Sequence, residues 1–101
     1  MAHKLTFHPL ARTDLFDLYR YIEEQAGSVR AGGYLDRIEN LCANLSAMPE
    51  RGTDRRDLGV GIRTIALERR LLVVYRTSPA AVEVLRILYA GRDFSGDDLP
   101  N

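Results

Sequence analysis

The 101-residue chain has one cysteine, one lysine and two histidines, so the side chains that most often act as nucleophiles, metal ligands or bases near neutral pH are scarce. With Cys42 alone, no internal disulfide can form, and nothing calls for an oxidising compartment. His3 and His8 both lie near the start, and no Cys/His/Asp cluster has the spacing of a metal site. Gly59-Val60-Gly61 runs into a strand pattern rather than a helix, which excludes a glycine loop of the phosphate-cradling kind. No metal and no cofactor are expected. Long apolar runs are missing too: the longest aliphatic or aromatic stretch, Leu71 to Tyr75, is far too short to span a bilayer as a helix. Residues 1–17 scatter Lys4, Arg12, Asp14 and Asp17 among apolar residues and show neither the apolar core nor the cleavage site of a signal peptide. A cytoplasmic protein without membrane association is the expectation.

What is present is ordinary globular composition, 46% apolar and 28% charged, in a length that fits one domain over residues 1–101 with a short tail from about residue 94. A strand over His3–Phe7 ends where Pro9 can take the first helical position. Ala11, Leu15, Leu18 and Ile22 recur at helical spacing with Tyr19 at their margin, which predicts a helix from Pro9 to Gln25 that stops at Gly27. Ser28 is a candidate N-cap for a second helix ending near Met48. Its stripe is Ala31, Leu35, Ile38, Cys42 and Leu45, broadened by Tyr34 and Leu41. Gly32-Gly33 inside that helix cost about 1 kcal/mol per residue relative to Ala, which calls for close packing against the first helix or for a later helix start. Residues 49–61 have no period and read as a long ordered loop. Strands follow at Ile62–Glu68, Leu71–Thr77 and Val82–Tyr89, with Ser78-Pro79 at the second turn and Glu68-Arg69-Arg70, poor in turn chemistry, at the first. The fold class is α+β in the order β-α-α-β-β-β. If each helix reverses the chain, the last strand lies antiparallel beside the first, giving an antiparallel four-stranded sheet of order 1-4-3-2 with the helical hairpin packed on one face.

Both faces of that sheet are apolar at the centre. Leu71, Val73 and Tyr75 point opposite to Leu72 and Val74, while Leu85 and Ile87 point opposite to Val84 and Leu88. Two helices cover one face only. A tail folded across through Phe94 and Leu99 would cover the other; a segment of a partner protein is the favoured cover. Net charge is zero but unevenly spread: residues 51–92 hold nine Arg against four acids, and residues 93–101 hold three Asp. Thirteen of the fourteen basic residues are Arg, whose planar fork suits carboxylate or phosphate. The zero sum argues against strong direct nucleic-acid binding.

Pro49, Gly52, Arg55, Asp57, Leu58, Gly61 and Arg63, then Tyr75-Arg76, Val84-Leu85-Arg86-Ile87-Leu88 and finally Arg92-Asp93 form one ordered string. With Pro9, Ala11, Asp14-Leu15, Tyr21-Ile22, Ala31 and Leu45 before it, the string resembles the ParE/RelE superfamily of small bacterial toxins over nearly the whole chain. The resemblance implies a RelE-like fold and a toxin of a type II toxin-antitoxin pair, held in a hetero-oligomeric complex by a ParD-like antitoxin that wraps around it. ParE-like members poison DNA gyrase, whereas RelE-like members are ribosome-dependent mRNA endonucleases. RNA cleavage through the 2′-hydroxyl needs a base, an acid and cations on the phosphate. This chain ends its last strand in Tyr89 where many superfamily members have His, and a catalytic set could draw only on Tyr89, Arg86 and Arg63. The ParE-like reading, a binding protein rather than an enzyme, is favoured, with the mRNA endonuclease as the alternative. Candidate antitoxin-binding or target-binding residues are Arg63, Arg76, Arg86, Tyr89, Arg92 and Asp93.

Each candidate also has a plainer reading. Arg63, Arg76 and Arg86 can stabilise the fold by pairing with Glu68, Glu83 or Asp57. Arg92-Asp93 can be a clamp that closes the last strand. Tyr89 can belong to a core or an interface, since an ordinary phenol pKa of about 10 keeps it protonated. Cys42 reads as a packed small side chain, and His8 as the residue that precedes a helix-initiating proline.

Overall fold

The computed structural model describes residues 3–89 and 99–100. Strand β1 (Lys4–Phe7) leads through His8 into helix α1 (Pro9–Ala26). His8 is extended, as the residue before a proline prefers, and its ring Nδ1 accepts the Leu10 amide at 3.1 Å. The histidine is therefore the helix cap. Gly27, at φ +90°, separates α1 from α2 (Ser28–Ala47), so Ser28 is the first residue of the second helix and not its cap.

The direction of α1 corrects the expected sheet. Asp14 reaches Arg86 and Ile87 while Tyr21 reaches Tyr89, so α1 advances across the sheet in the same sense as β1 instead of turning back. The extended His8 lifts the chain off the sheet at an open angle and does not form a reversal. The return is made by α2, which brings the Ser46 hydroxyl onto the His3 carbonyl. With one reversal in place of two, β3 (Ile62–Leu67) and β5 (Ala81–Tyr89) run with β1, and β4 (Leu71–Thr77) runs against it. Consequently β1 and β5 pair in parallel, Lys4 opposite Ala81 through Phe7 opposite Val84. A two-residue strand β2 (Thr53–Asp54) also forms within the expected loop and pairs antiparallel with β3. The sheet is therefore mixed and five-stranded, in the order β1-β5-β4-β3-β2, with both helices on one face.

A β-bulge sets which side chains of β5 face the helices. Tyr75 pairs with Val84 and Val74 with Arg86, so Leu85 is an extra residue without a partner across the ladder. The insertion shifts the alternation: Val84 and Ile87 share the helix-covered core, whereas Leu85 and Leu88 join Ile62 and Val74 on the opposite face. Regular alternation had grouped Val84 with Leu88 and Leu85 with Ile87; the bulge regroups them.

The helix-covered core contains most of the expected helical stripes, with Leu15 and Ile22 at its margin and Ile38, Cys42 and Leu45 almost wholly enclosed in the cluster that holds Val73, Tyr75, Val82 and Val84; Ala31 is buried outside this cluster and Leu35 is only half-buried. Each large aliphatic side chain buried to this degree contributes about 1.5–3 kcal/mol. Cys42 has no exposed surface, and burial pushes its thiol up to about 12. It is expected to resist a disulfide reagent at pH 8 in the native protein and to react in denaturant, which a thiol titration in both conditions checks. The opposite face is not bare. Leu58 from the 49–61 stretch and Leu99 pack on Ile62, Val74, Leu85 and Leu88, which are at most 3% exposed, so the chain itself covers this cluster, the role for which a partner segment had been favoured. Phe94, the other expected contact, lies outside the described residues.

Two local features depart from propensity. Glu68 and Arg69 both have positive φ, 54° and 60°, and Arg70 N–H closes the turn on the Leu67 carbonyl at 3.0 Å. This is the hairpin geometry that Asn-Gly normally occupies, here imposed by the β3–β4 pairing on residues that disfavour it. Arg69→Gly is expected to raise stability by about 0.5–1 kcal/mol in urea titrations, the backbone relief exceeding the added freedom of the unfolded chain. The second feature is Gly32-Gly33. Neither packs against α1 and the helix does not start late: a Cβ at either would meet nothing within 4 Å. No contact among the described residues accounts for them.

Candidate partner-binding surfaces

Three of the strand arginines have distinct surroundings. Arg86 extends its Nε and Nη2 to the two carboxylate oxygens of Asp14 at 2.8 and 3.0 Å, both side chains being close to nine-tenths buried. The same Asp14 oxygen accepts the Ile87 amide at 2.9 Å. Since β1 ends at Phe7 opposite Val84, the carboxylate takes over as hydrogen-bond acceptor for β5 where the neighbouring strand stops. Arg63 lies opposite Tyr75 on the helix side of the sheet and donates to the carbonyls of Glu50 (3.2 Å) and Gly52 (2.7 Å). Arg76 is exposed and opposite Ile62, which places it beside the apolar cluster of the other face. Of the acids expected to engage these arginines, Asp57 is held by Arg55 (2.9 and 3.0 Å) and Glu68 by Arg37 (3.0 Å), whereas Glu83 lies across the ladder from Arg76. The Arg55 hydrogen bonds hold the Asp57 carboxyl below its usual range.

Tyr75 and Gly52 complete the anchoring of the 49–52 segment. The Tyr75 hydroxyl donates to the Pro49 carbonyl and accepts the Gly52 amide, each at 2.9 Å, and burial raises its pKa, keeping it a donor. A Cβ on Gly52 would stand 2.5 Å from that hydroxyl and 2.7 Å from the Thr64 carbonyl. The Pro49, Gly52, Arg63 and Tyr75 positions that stand out in the sequence are thus one clamp. It fixes the start of β2, and with it the loop that carries Leu58 onto the open face.

Tyr89 lies at the far end of the helix side. Its ring is 5.7 Å from that of Tyr21 and 6.5 Å, edge on, from that of Tyr34. The Tyr34 hydroxyl is buried without a hydrogen-bond partner among the described residues, and burial, then Tyr89 and Glu68, raise its pKa. Arg37 lies 5.0 Å above the Tyr34 ring. Tyr89 is a candidate from the sequence, and Tyr21 and Tyr34 stand out there singly, but no spacing brings the three together; the i,i+3 placement of Tyr34 and Arg37 on α2 is the one local sign of the cluster. Tyr89, Arg86 and Arg63 are not brought together: Tyr89 pairs across from Leu71 at one end of the sheet, Arg63 from Tyr75 towards the other. Arg92 and Asp93 lie outside the described residues. Among the described residues no three His, Cys, Asp or Glu side chains converge on a metal-sized site, and no helix is long and apolar enough to cross a membrane.

Known proteins supply the comparison. The family described as ParE toxin of type II toxin-antitoxin system, parDE, matches residues 5–94. Toxin ParE3 of Caulobacter vibrioides is 40% identical over 75 residues, covering 74% of each chain. The fold is also that of a solved structure described as the chromosomal ParDE TA system from P. aeruginosa, at a TM-score of 0.75 and 24% identity, over 87% of this chain and 96% of that one. On the family match and the Caulobacter relative together, the chain belongs to the ParE toxin family of type II toxin-antitoxin systems.

Proposed function

We propose that this ParE-family toxin arrests growth by binding and poisoning DNA gyrase, and that a ParD-like antitoxin neutralises it by lying over the open face of the sheet. The observation that carries the binding reading over RNA cleavage is the separation of the candidate nuclease groups. Arg86 is engaged by Asp14, Arg63 by backbone carbonyls and Tyr89 by an aromatic cluster at the other end of the sheet, so among the described residues no base, acid and phosphate-binding cation converge on one point. The antitoxin reading rests on the open face itself. Its central residues Ile62, Val74, Leu85 and Leu88 are each 3% exposed or less, so the surface left for a partner is the half-buried rim of Leu58, Leu72 and Leu99, with Arg76 beside it for an acidic side chain of the partner.

Expression without antitoxin is expected to induce DNA-damage signalling and filamentation while bulk translation continues. Early loss of translation with mRNA cut at the ribosome would overturn the gyrase assignment in favour of the endonuclease. Arg92 and Asp93 are proposed as target contacts just past β5. Arg92→Ala is expected to reduce toxicity more than stability and to keep antitoxin binding, and Tyr89→Phe to keep most of the toxicity; growth assays with thermal melts on both variants decide.

A further inference from the structure

On the helix side, opposite the face proposed for the antitoxin, the far half of α1, the start of α2 and the β3–β4 turn enclose a cleft of about 640 Å³. Its walls are apolar, with Ile22 and the strongly exposed Val29, and aromatic, with Tyr21, Tyr34 and Tyr89. Its charged groups are mostly cationic donors, the guanidinium groups of Arg30, Arg37 and Arg70, beside the tyrosine hydroxyls and the Gln25 amide. Glu68, its one carboxylate, is already engaged by Arg37, whereas Arg30 and Arg70 enter no ion pair among the described residues. The Tyr34 hydroxyl, on a side chain more than nine-tenths buried, lacks an acceptor among the described residues. Gly33, which no packing among the described residues explains, lines the same cleft and keeps the α2 wall low.

We propose that this cleft is a second docking site, which takes a short acidic segment of a partner protein carrying an apolar side chain next to a carboxylate. Among the described residues the buried Tyr34 hydroxyl has no acceptor and Arg30 and Arg70 have no carboxylate, which an acidic side chain would supply, while the aliphatic and aromatic walls suit an apolar body beside it. A peptide meets both needs. A nucleotide fits less well, because the rings meet at 57° and 75° and leave no parallel slot for a base. The Arg37–Glu68 pair over Tyr34 is half exposed and weakly held, so an incoming carboxylate can displace Glu68 and reach the hydroxyl beneath. Binding here leaves the open sheet face untouched, which keeps the two sites experimentally separate.

The test uses the full chain and a short capped peptide alternating aspartate and leucine, with its asparagine counterpart and adenosine monophosphate as controls. Binding is followed in ¹H–¹⁵N spectra through the Gly33 amide and the arginine Nε–H groups. The acidic peptide is expected to shift Gly33, Arg37 and Arg70 and to bind about tenfold more tightly than the asparagine peptide. Gly33→Leu, which fills the cleft from a helix position with open space, should abolish binding without lowering the melting temperature. Arg70→Ala, on an exposed turn, and Tyr34→Phe, which removes only the hydroxyl, should each weaken binding about threefold or more. Undiminished binding in Gly33→Leu or Tyr34→Phe, equal affinity for the asparagine peptide, or preference for adenosine monophosphate overturns the proposal.

Discussion

Replacing Asp14 with Ala is expected to cost about 3 kcal/mol of stability, the largest effect of any single polar substitution in this chain. The carboxylate makes three bonds at once, two to Arg86 and one to the Ile87 amide, and both ionic side chains are close to nine-tenths buried. Removing it leaves a mostly buried guanidinium without its bidentate partner and a β5 amide without its acceptor, and neither can be made good by water without opening α1 from the sheet. For a domain of this length the loss corresponds to a fall in melting temperature on the order of 15 °C. Much of the cost comes from breaking a buried, bidentate ion pair from one side, so the double replacement Asp14→Leu with Arg86→Met should recover a large part of it. A melt of Asp14→Ala within a few degrees of the parent, or a double variant no better than the single, would show that the pair does not hold α1 to β5.

Gly52→Ala is expected to be nearly as damaging, at about 2–3 kcal/mol, although it adds only a methyl group. The added carbon would stand 2.5 Å from the Tyr75 hydroxyl and 2.7 Å from the Thr64 carbonyl, and the second of these is backbone that cannot swing aside. To relieve it, the 49–52 segment must move away from the sheet, which breaks the Tyr75 bonds to Pro49 and Gly52 and the Arg63 bond to the Gly52 carbonyl. Gly32→Ala is the control. It sits in α2 with nothing within 4 Å of the new carbon, and should raise stability by about 0.5–1 kcal/mol. Urea titrations of the two variants should therefore move in opposite directions; a Gly52→Ala protein as stable as the parent would mean that the clamp yields freely.

The elements themselves were legible because their signals are local. Ala11, Leu15, Leu18 and Ile22 mark one face of α1, Ala31, Ile38, Cys42 and Leu45 one face of α2, and all of these but Ala31 pack in the helix-covered core or against it. The clamp residues were legible only as types: Pro49, Gly52, Arg63 and Tyr75 stand out in the sequence, but nothing there says that one phenol and one guanidinium hold one stretch of backbone. The partner of Arg86 was not legible at all. Asp14 lies 72 positions away, and the acids considered for the strand arginines were all within the second half of the chain.

Composition and periodicity determine that this chain makes two amphipathic helices and a set of strands, has no disulfide, and carries its surplus arginine in the second half, since each of these depends on residues within a few positions of one another. The parallel pairing of β1 with β5, the left-handed turn at Glu68-Arg69 and the regrouping of Leu85 and Ile87 were decided by the tertiary structure. So was which arginines are spent on the fold and which, like Arg76, are left on its surface. A chain direction, a bulge and an ion pair between distant residues are settled by how packed elements close on each other, and that closure leaves no mark on the spacing of neighbouring residues.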